Sequence, residues 1–254
     1  MSSYDALIHK CREAIGFFGY ISCWARPDIR QATYYLARFQ AHPTEHVWRS
    51  CKRVMRYLRG NRVPLTFGTR AIATESPLVG FVDSDYDVYS TSGMAFYVYG
   101  CPVLLDSSKQ RTVAHSTTEA ELIAADRAAR ANCYLRRLLI QDFNMKDLPL
   151  TPIYEDNQGC VHVSRGGGTF RKLRHINVAE SYIYHCSVIE PSLSLIYIRS
   201  RDNVADIFTK ACDADTFHTL RSYLMGNTTY RLTYHPLESS RTHAGECWIP
   251  SSSQ

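Results

Sequence analysis

The sequence predicts an α/β layer architecture, and three observations point to it. Three short runs rich in Val, Phe, Tyr and Leu, at Leu78–Val82, Gly93–Tyr99 and Pro102–Leu105, are separated only by turn-like Ser/Thr or Gly-Cys-Pro residues. A long helical period follows from about Thr117 to Gln141. Two more strand-like runs, Pro152–Glu155 and Leu193–Arg199, are then each followed by helical sequence. The order is an antiparallel three-strand meander, then helix, strand, helix, strand, helix.

Upstream of the meander the chain reads as helical. Residues 4–22 and 27–40 suit helices, the second opened by Pro27-Asp28, since proline tolerates a first turn and an acid there favours the helix dipole. From Pro43 to Gly60, Val47, Cys51, Val54, Met55 and Leu58 keep a 3.6-residue period. Arg49, Lys52, Arg53, Arg56 and Arg59 mark a second stripe, so one face packs and another is basic. A Gly/Thr/Ser-bearing stretch at 68–77 separates this helical sequence from the strands. The expected organisation is a basic helical segment at 1–76, an α/β domain at 77–212, and a C-terminal helix and flexible tail at 213–254. Within the α/β domain, a short helix is expected near Gln158–Ser164, another at about Ile176–Ile189, and a last helical start at Val204. From about residue 226 the chain turns Thr, Ser and His rich, and poor order is expected there.

Composition narrows the function classes. The 254 residues carry 29 Lys+Arg against 24 Asp+Glu, a net charge of +5. Residues 1–77 hold 12 basic and 5 acidic side chains, 12 − 5 = +7, so the positive charge gathers near the start. A polyanionic partner fits that asymmetry, and so does a merely solvated basic surface. Nine cysteines, widely spaced and without a Cys-x-x-Cys pair, read as reduced thiols of cytosol or nucleus rather than a secreted disulfide framework. His175, His185, Cys186 and Cys212 fit no common zinc-ligand spacing. No apolar run approaches the ~20 residues that span a bilayer.

The acids carry the chemistry. Asp83, Glu121, Asp156 and Asp206 each stand at the edge of an expected strand or helix, and carboxylates gathered by a fold suit a pair of hard divalent ions. Glu119 and Glu121 are two apart, about 200° around a helix, so one site cannot use both. Ser116-Thr117-Thr118-Glu119 is a capping box, and Glu119 shares the solvated stripe of Asp126, Arg130 and Arg137. Glu121 lines up instead with Ala125, Ala128, Leu135 and Leu139, a packed face on which an acid needs a partner: a metal or a buried salt bridge. Asp83 and Asp85 alternate onto the same side of a strand, and periodicity does not choose between them. Asp156 ends a strand where Asn157-Gln158 begins a helix, and its neighbour Glu155 points the other way. Asp206 falls in a first helical turn, where an acid also serves the dipole.

These acids stand in phrases that resemble the ribonuclease H region of copia-type LTR retrotransposon Pol polyproteins, over about residues 78–212. The phrases are Leu78-Val79-Gly80-Phe81-Val82-Asp83-Ser84-Asp85, Ser90-Thr91-Ser92-Gly93, Ser107-Ser108-Lys109-Gln110 with Thr112-Val113-Ala114, and Ser116-Thr117-Thr118-Glu119-Ala120-Glu121. They continue through Ile153-Tyr154-Glu155-Asp156-Asn157-Gln158, Arg174-His175-Ile176 and Asn203-Val204-Ala205-Asp206-Ile207-Phe208-Thr209-Lys210. Upstream, Arg26-Pro27-Asp28-Ile29, His42-Pro43-Thr44-Glu45 and Lys52 to Gly60 resemble the thumb/connection segment that joins the reverse transcriptase to ribonuclease H. A chain opening at Met1 inside such a segment reads as a truncated reading frame, a fragment or a domesticated remnant.

The resemblance implies a ribonuclease H-like fold, with a mixed five-stranded sheet flanked by helices. It implies endonucleolytic hydrolysis of the RNA strand of an RNA–DNA hybrid during reverse transcription. Asp83, Glu121, Asp156 and Asp206 would hold two Mg²⁺ ions, with Mn²⁺ able to substitute, and Asp85 and Asn157 would stand in an outer shell. The basic helix and Lys109 would contact nucleic acid, together with Arg171, Lys172 and Arg174 of a glycine-rich loop. Expected partners are the hybrid and a reverse transcriptase or integrase portion of a polyprotein, with no membrane and no small-molecule cofactor. The expected location is a cytoplasmic virus-like particle or the nucleus. A catalytically silent nucleic-acid-binding or assembly module is the alternative. Two departures stand out. The loop before the fourth acid, Ser200-Arg201-Asp202-Asn203, lacks the histidine of many cellular ribonucleases H, and His115 and His175 read as exposed or structural. No Tyr- or Phe-x-Asp-Asp pair for polymerisation is present.

Overall fold

A computed structural model describes residues 3–68, 72–73, 76–166 and 182–231. Helix α1 (Ser3–Trp24) is followed by a 3₁₀ turn at Pro27–Ile29, α2 (Arg30–Ala37) and α3 (Glu45–Gly60). Thr44 caps α3 by accepting from the Val47 N–H. Cys11, Ile15 and Phe18 of α1 pack with Ile29, Leu36 and the Val47, Cys51 and Val54 of the α3 stripe, with Leu58 partly buried against them, whereas Met55 of that stripe is exposed. Asp28 does more than favour a dipole. Its side chain is fully buried and accepts from the Arg26 guanidinium at 2.7 and 2.9 Å and from the Tyr57 hydroxyl at 2.6 Å.

Strand β1 (Ile72–Ala73) pairs in parallel with β7 (Tyr230–Arg231), a two-residue ladder. The main sheet holds β2 (Leu78–Ser84), β3 (Thr91–Val98), β4 (Cys101–Lys109), β5 (Thr151–Glu155) and β6 (Leu193–Tyr197) in the order β4-β3-β2-β5-β6. The β2–β3 and β3–β4 pairs are antiparallel, while β2–β5 and β5–β6 are parallel. This is the mixed five-stranded sheet that the resemblance implies. Period-two alternation sends Leu78 and Val82 to one face, against Ala125 and Ala128 of α4 (Thr117–Gln141). It sends Val79 and Phe81 to the other, against Ile207 and Phe208 of α6 (Asp206–Thr209) and Leu224 of α7 (Ala214–Leu224). Helix α5 (Gln158–Ser164) follows β5. Of the helix expected at 176–189, residues 176–181 lie outside the described residues, and the rest ends in a π-helical turn at His185–Ile189. The tail from residue 232 also lies outside them.

Gly93 governs how closely α6 approaches the sheet. A Cβ there would meet Thr209 Cγ2 at 2.7 Å, Phe208 Cβ at 2.9 Å and the Ala205 carbonyl at 3.0 Å, so no larger residue lets α6 rest on β3. Ser107 Oγ donates to the Phe208 carbonyl at 2.6 Å and Asn203 Nδ2 donates to the Val82 carbonyl at 2.8 Å, pinning the same turn from two sides.

The helical segment is fastened to the sheet by polar contacts. Arg30 of α2 and Arg127 of α4 share Asp106, at 3.4 and 2.9 Å. Tyr34 Oη accepts the Lys109 N–H at 3.0 Å, and Arg38 Nη2 donates to Thr91 Oγ1 at 3.1 Å. From the far side, Arg221 of α7 donates to the Tyr57 hydroxyl at 2.9 Å. No described helix is long and apolar enough to cross a membrane.

Candidate metal centre

Four elements deliver the acids to one end of the sheet. Asp83 lies near the C-terminal end of β2 and Asp156 directly follows the parallel strand β5, so both emerge at the same edge. Glu121 comes from the first turns of α4, whose start is held by Ser116 accepting from the Glu119 N–H at 3.1 Å. Glu119 accepts from the His115 N–H at 2.7 Å, one residue before the cap. Glu119 thus belongs to the helix start, and its neighbour two residues on turns inward. Asp206 opens α6 on the opposite face.

One carboxylate oxygen from each of Asp83, Glu121 and Asp156 lies within 4.8 Å of the others, a spacing that lets one cation touch all three. Asp206 joins through a lysine. Lys210 Nζ is 2.8 Å from Asp206 Oδ2 and 4.0 Å from Asp83 Oδ2. Ser200 Oγ donates to the same Asp206 oxygen at 3.1 Å, and Thr209 Oγ1 donates to Asp83 Oδ2.

Burial dominates the electrostatics. Asp83, Glu121 and Asp206 are 1, 7 and 3% exposed, whereas Asp156 is half-buried. Desolvation, then the charge of Asp206, pushes the Asp83 carboxyl up to about 8 despite Lys210 and Thr209. Desolvation, then the charges of Asp83 and Asp156, pushes Glu121 up to about 9. Asp206 is also raised, chiefly by burial, against the opposing pull of Lys210. Among the described residues, the buried Glu121 Oε2 and Asp206 Oδ1 find no hydrogen-bond partner. Orphaned acceptors in an all-carboxylate cluster, opposed among the described residues by the Lys210 ammonium, fit a hard divalent cation.

Two neighbours escape a reading of the sequence. Glu155 does point away from Asp156, but this takes it beneath Glu121 on the α4 face, fully buried. Its Oε1 accepts the Asn157 N–H at 2.9 Å, and burial followed by the charge of Glu121 holds its carboxyl well above the usual range. Lys210 is the other. Its position four residues after Asp206 on a helical turn is the spacing that joins acid and base, and that signal could have found it.

The remaining expected residues fall as follows. Asp85 lies beyond β2, and its carboxylate accepts the Thr91 N–H. Asn157 caps α5, accepting the Cys160 N–H at 3.0 Å. Lys109 Nζ lies 3.6 Å from the centroid of the Tyr89 ring. Arg49, Lys52, Arg53, Arg56 and Arg59 are all exposed on α3. Arg53 and Lys210 both line a cleft of about 790 Å³. His115 is exposed; Arg171, Lys172, Arg174 and His175 lie outside the described residues. His185 Nε2 faces Glu190 at 3.4 Å and Cys186 lies 4.0 Å from Cys133, so neither builds a zinc site with Cys212.

No protein-family model matches the chain. It is 31% identical over 210 residues, 80% of its length, to the retrovirus-related Pol polyprotein from transposon TNT 1-94 of Nicotiana tabacum, and spans 15% of that polyprotein. Over 128 residues, 48% of its length, it is 38% identical to secreted RxLR effector protein 161 of Plasmopara viticola, covering 88% of that protein. Among solved structures it is similar to LC11-RNase H1 in complex with an RNA/DNA hybrid, at 16% identity and a TM-score of 0.41, over 52% of this chain and 93% of that one.

Proposed function

Since the chain belongs to the retrovirus-related Pol polyproteins of transposons, we propose that it is a ribonuclease H: a metal-dependent endonuclease that hydrolyses the RNA strand of RNA–DNA hybrids. The observation that carries this reading is the convergence of Asp83, Glu121 and Asp156 oxygens within 4.8 Å, beside buried acceptors that find no hydrogen-bond partner among the described residues. Asp83, Glu121, Asp156 and Asp206 hold two Mg²⁺ ions, or Mn²⁺ in their place. Bound there, the ions supply Lewis acidity at the scissile phosphate and acidify the attacking water. Residues 77–212 are the catalytic domain, 1–76 the end of a reverse-transcriptase-like part, and 213–254 a C-terminal helix and tail.

The chain's own residues do the rest. Thr209 and Ser200 hold the Asp83 and Asp206 carboxylates by hydrogen bonds, so that their free oxygens face the reaction. Asp85 orients the start of β3, and Asn157 fixes the first turn after Asp156. Water attack on the phosphodiester releases a 3′-hydroxyl and leaves a 5′-phosphate on the downstream piece. Contacts to 2′-hydroxyls select RNA over DNA. The exposed arginines of α3 and Lys109 track phosphates, joined by Arg171, Lys172 and Arg174. The reaction serves reverse transcription, in company with the polymerase or integrase parts of a polyprotein, in cytoplasmic particles or the nucleus.

The test is cleavage of a labelled RNA–DNA hybrid in Mg²⁺ or Mn²⁺, with double-stranded RNA and DNA as controls. Cut RNA in the hybrid alone, abolished by chelator and by Asp156→Asn, is the expected result. Tight hybrid binding with wild type and variant equally inert would leave a silent binding module instead.

A further inference from the structure

Asp83 and Asp206 bury two carboxylates almost completely on the α6 side of the sheet edge, and desolvated charge of one sign is costly without a counter-ion. Among the described residues, Lys210 is the basic side chain that ion-pairs with them, 2.8 Å from Asp206 Oδ2 and 4.0 Å from Asp83 Oδ2. It also donates to Ser200 Oγ at 3.3 Å. The lysine side chain is 42% exposed, while the two acid side chains are 2 and 4% exposed. The acids are therefore fixed and the ammonium is free to swing outward on its four-carbon stem.

We propose that Lys210 is a tethered cation that stands in for one divalent ion between Asp206 and Asp83 and leaves when that ion binds, so that it sets the metal concentration at which the site fills. A magnesium ion lies about 2.1 Å from its carboxylate oxygens. Coordination by Asp206 Oδ2 would place that ion beside an ammonium hydrogen-bonded to the same oxygen, and two cations that close in a water-poor site repel. Exchange relieves this, because the departing ammonium returns to water. It also explains why Asp206 Oδ1 finds no partner among the described residues while Ser200 and Lys210 crowd onto Oδ2: the lysine neutralises the site without satisfying it. Lys210 is thus a positioning residue for metal entry, and this rests on the metal reading of the site.

The experiment titrates Mn²⁺ into the purified full chain and follows free Mn²⁺ by electron paramagnetic resonance, for wild type, Lys210→Gln and Lys210→Arg. The expected result is tighter Mn²⁺ binding by Lys210→Gln, by roughly fivefold or more, the lower end of ordinary site couplings. The same variant should melt lower than wild type without metal and recover in Mg²⁺, and Lys210→Arg should restore wild-type affinity. Equal or weaker Mn²⁺ binding by Lys210→Gln, with wild type binding normally, overturns the exchange and leaves the metal site standing. Failure of wild type and Lys210→Gln alike to bind Mn²⁺ overturns both. Should Lys210→Gln not fold, the Lys210 side-chain resonance of wild type, assigned by its absence in Lys210→Arg, reads the displacement directly. It should shift as Mg²⁺ is added, and an unmoved resonance in protein that binds Mg²⁺ refutes the exchange.

Discussion

Asn203 donates its side-chain amide to the Val82 carbonyl at 2.8 Å across 121 positions of sequence, and this sets the fourth acid beside the first. The same side chain accepts the Ala205 N–H at 3.1 Å, so one fully buried residue ties β2 to the turn before Asp206. Replacing it with alanine orphans a buried carbonyl, and Asn203→Ala should lose about 1–3 kcal/mol in a urea titration. Cleavage activity should fall further than stability does, because Asp206 loses its register with Asp83.

Gly93→Ala tests the same juxtaposition by crowding. The added methyl meets Thr209 and Phe208 at under 3.0 Å, and overpacking of this kind costs about 1–3 kcal/mol. The expected outcome is a folded protein by circular dichroism with weakened Mn²⁺ binding, since α6 moves off the sheet. Unchanged metal affinity would show that Asp206 is not held in place through Gly93.

Raised carboxyls give the metal-free protein a definite pH dependence. Asp83 and Glu121 titrate near 8 and 9 when folded, above the ordinary range of an unfolded carboxyl. Between those limits the native state binds more protons than the unfolded one, so metal-free stability is full at about pH 4 and falls as pH rises toward 9. Melting temperature in chelator should drop across that window, and saturating Mg²⁺ should flatten the curve. Glu121→Gln, which keeps the shape and removes one ionisation, should flatten the chelator curve in part.

The basic stripe predicts salt dependence. Replacing Arg53 and Arg56 with alanine removes two exposed charges, and the slope of log affinity for a hybrid against log salt should shallow by about 0.7–0.9 for each phosphate no longer neutralised. An unchanged slope would mean that this face of α3 does not meet nucleic acid.

The sheet was readable because its signals are local. Val79, Phe81 and Val82 alternate, and the alanines around Glu121 mark a packed face on which an acid stands out. What escaped depends on partners far along the chain. Asp28 looks like an acid at a helix start, and only the fold brings Tyr57 to it and Arg221 to Tyr57. Glu155 alternates as expected, yet its depth below Glu121 follows from the register between β5 and β2. A two-residue pairing such as Ile72 with Tyr230 is too short to leave a periodic trace.

Asp106, gripped by Arg30 on one side and Arg127 on the other, has a consequence for chain cleavage. With Tyr34, Arg38 and Arg221 fastening both ends, a backbone cut between residues 68 and 76 should leave two pieces that stay associated. Expressed as separate polypeptides, they should find each other and reconstitute, in the manner of a split reporter whose halves complement only when the clasp is intact.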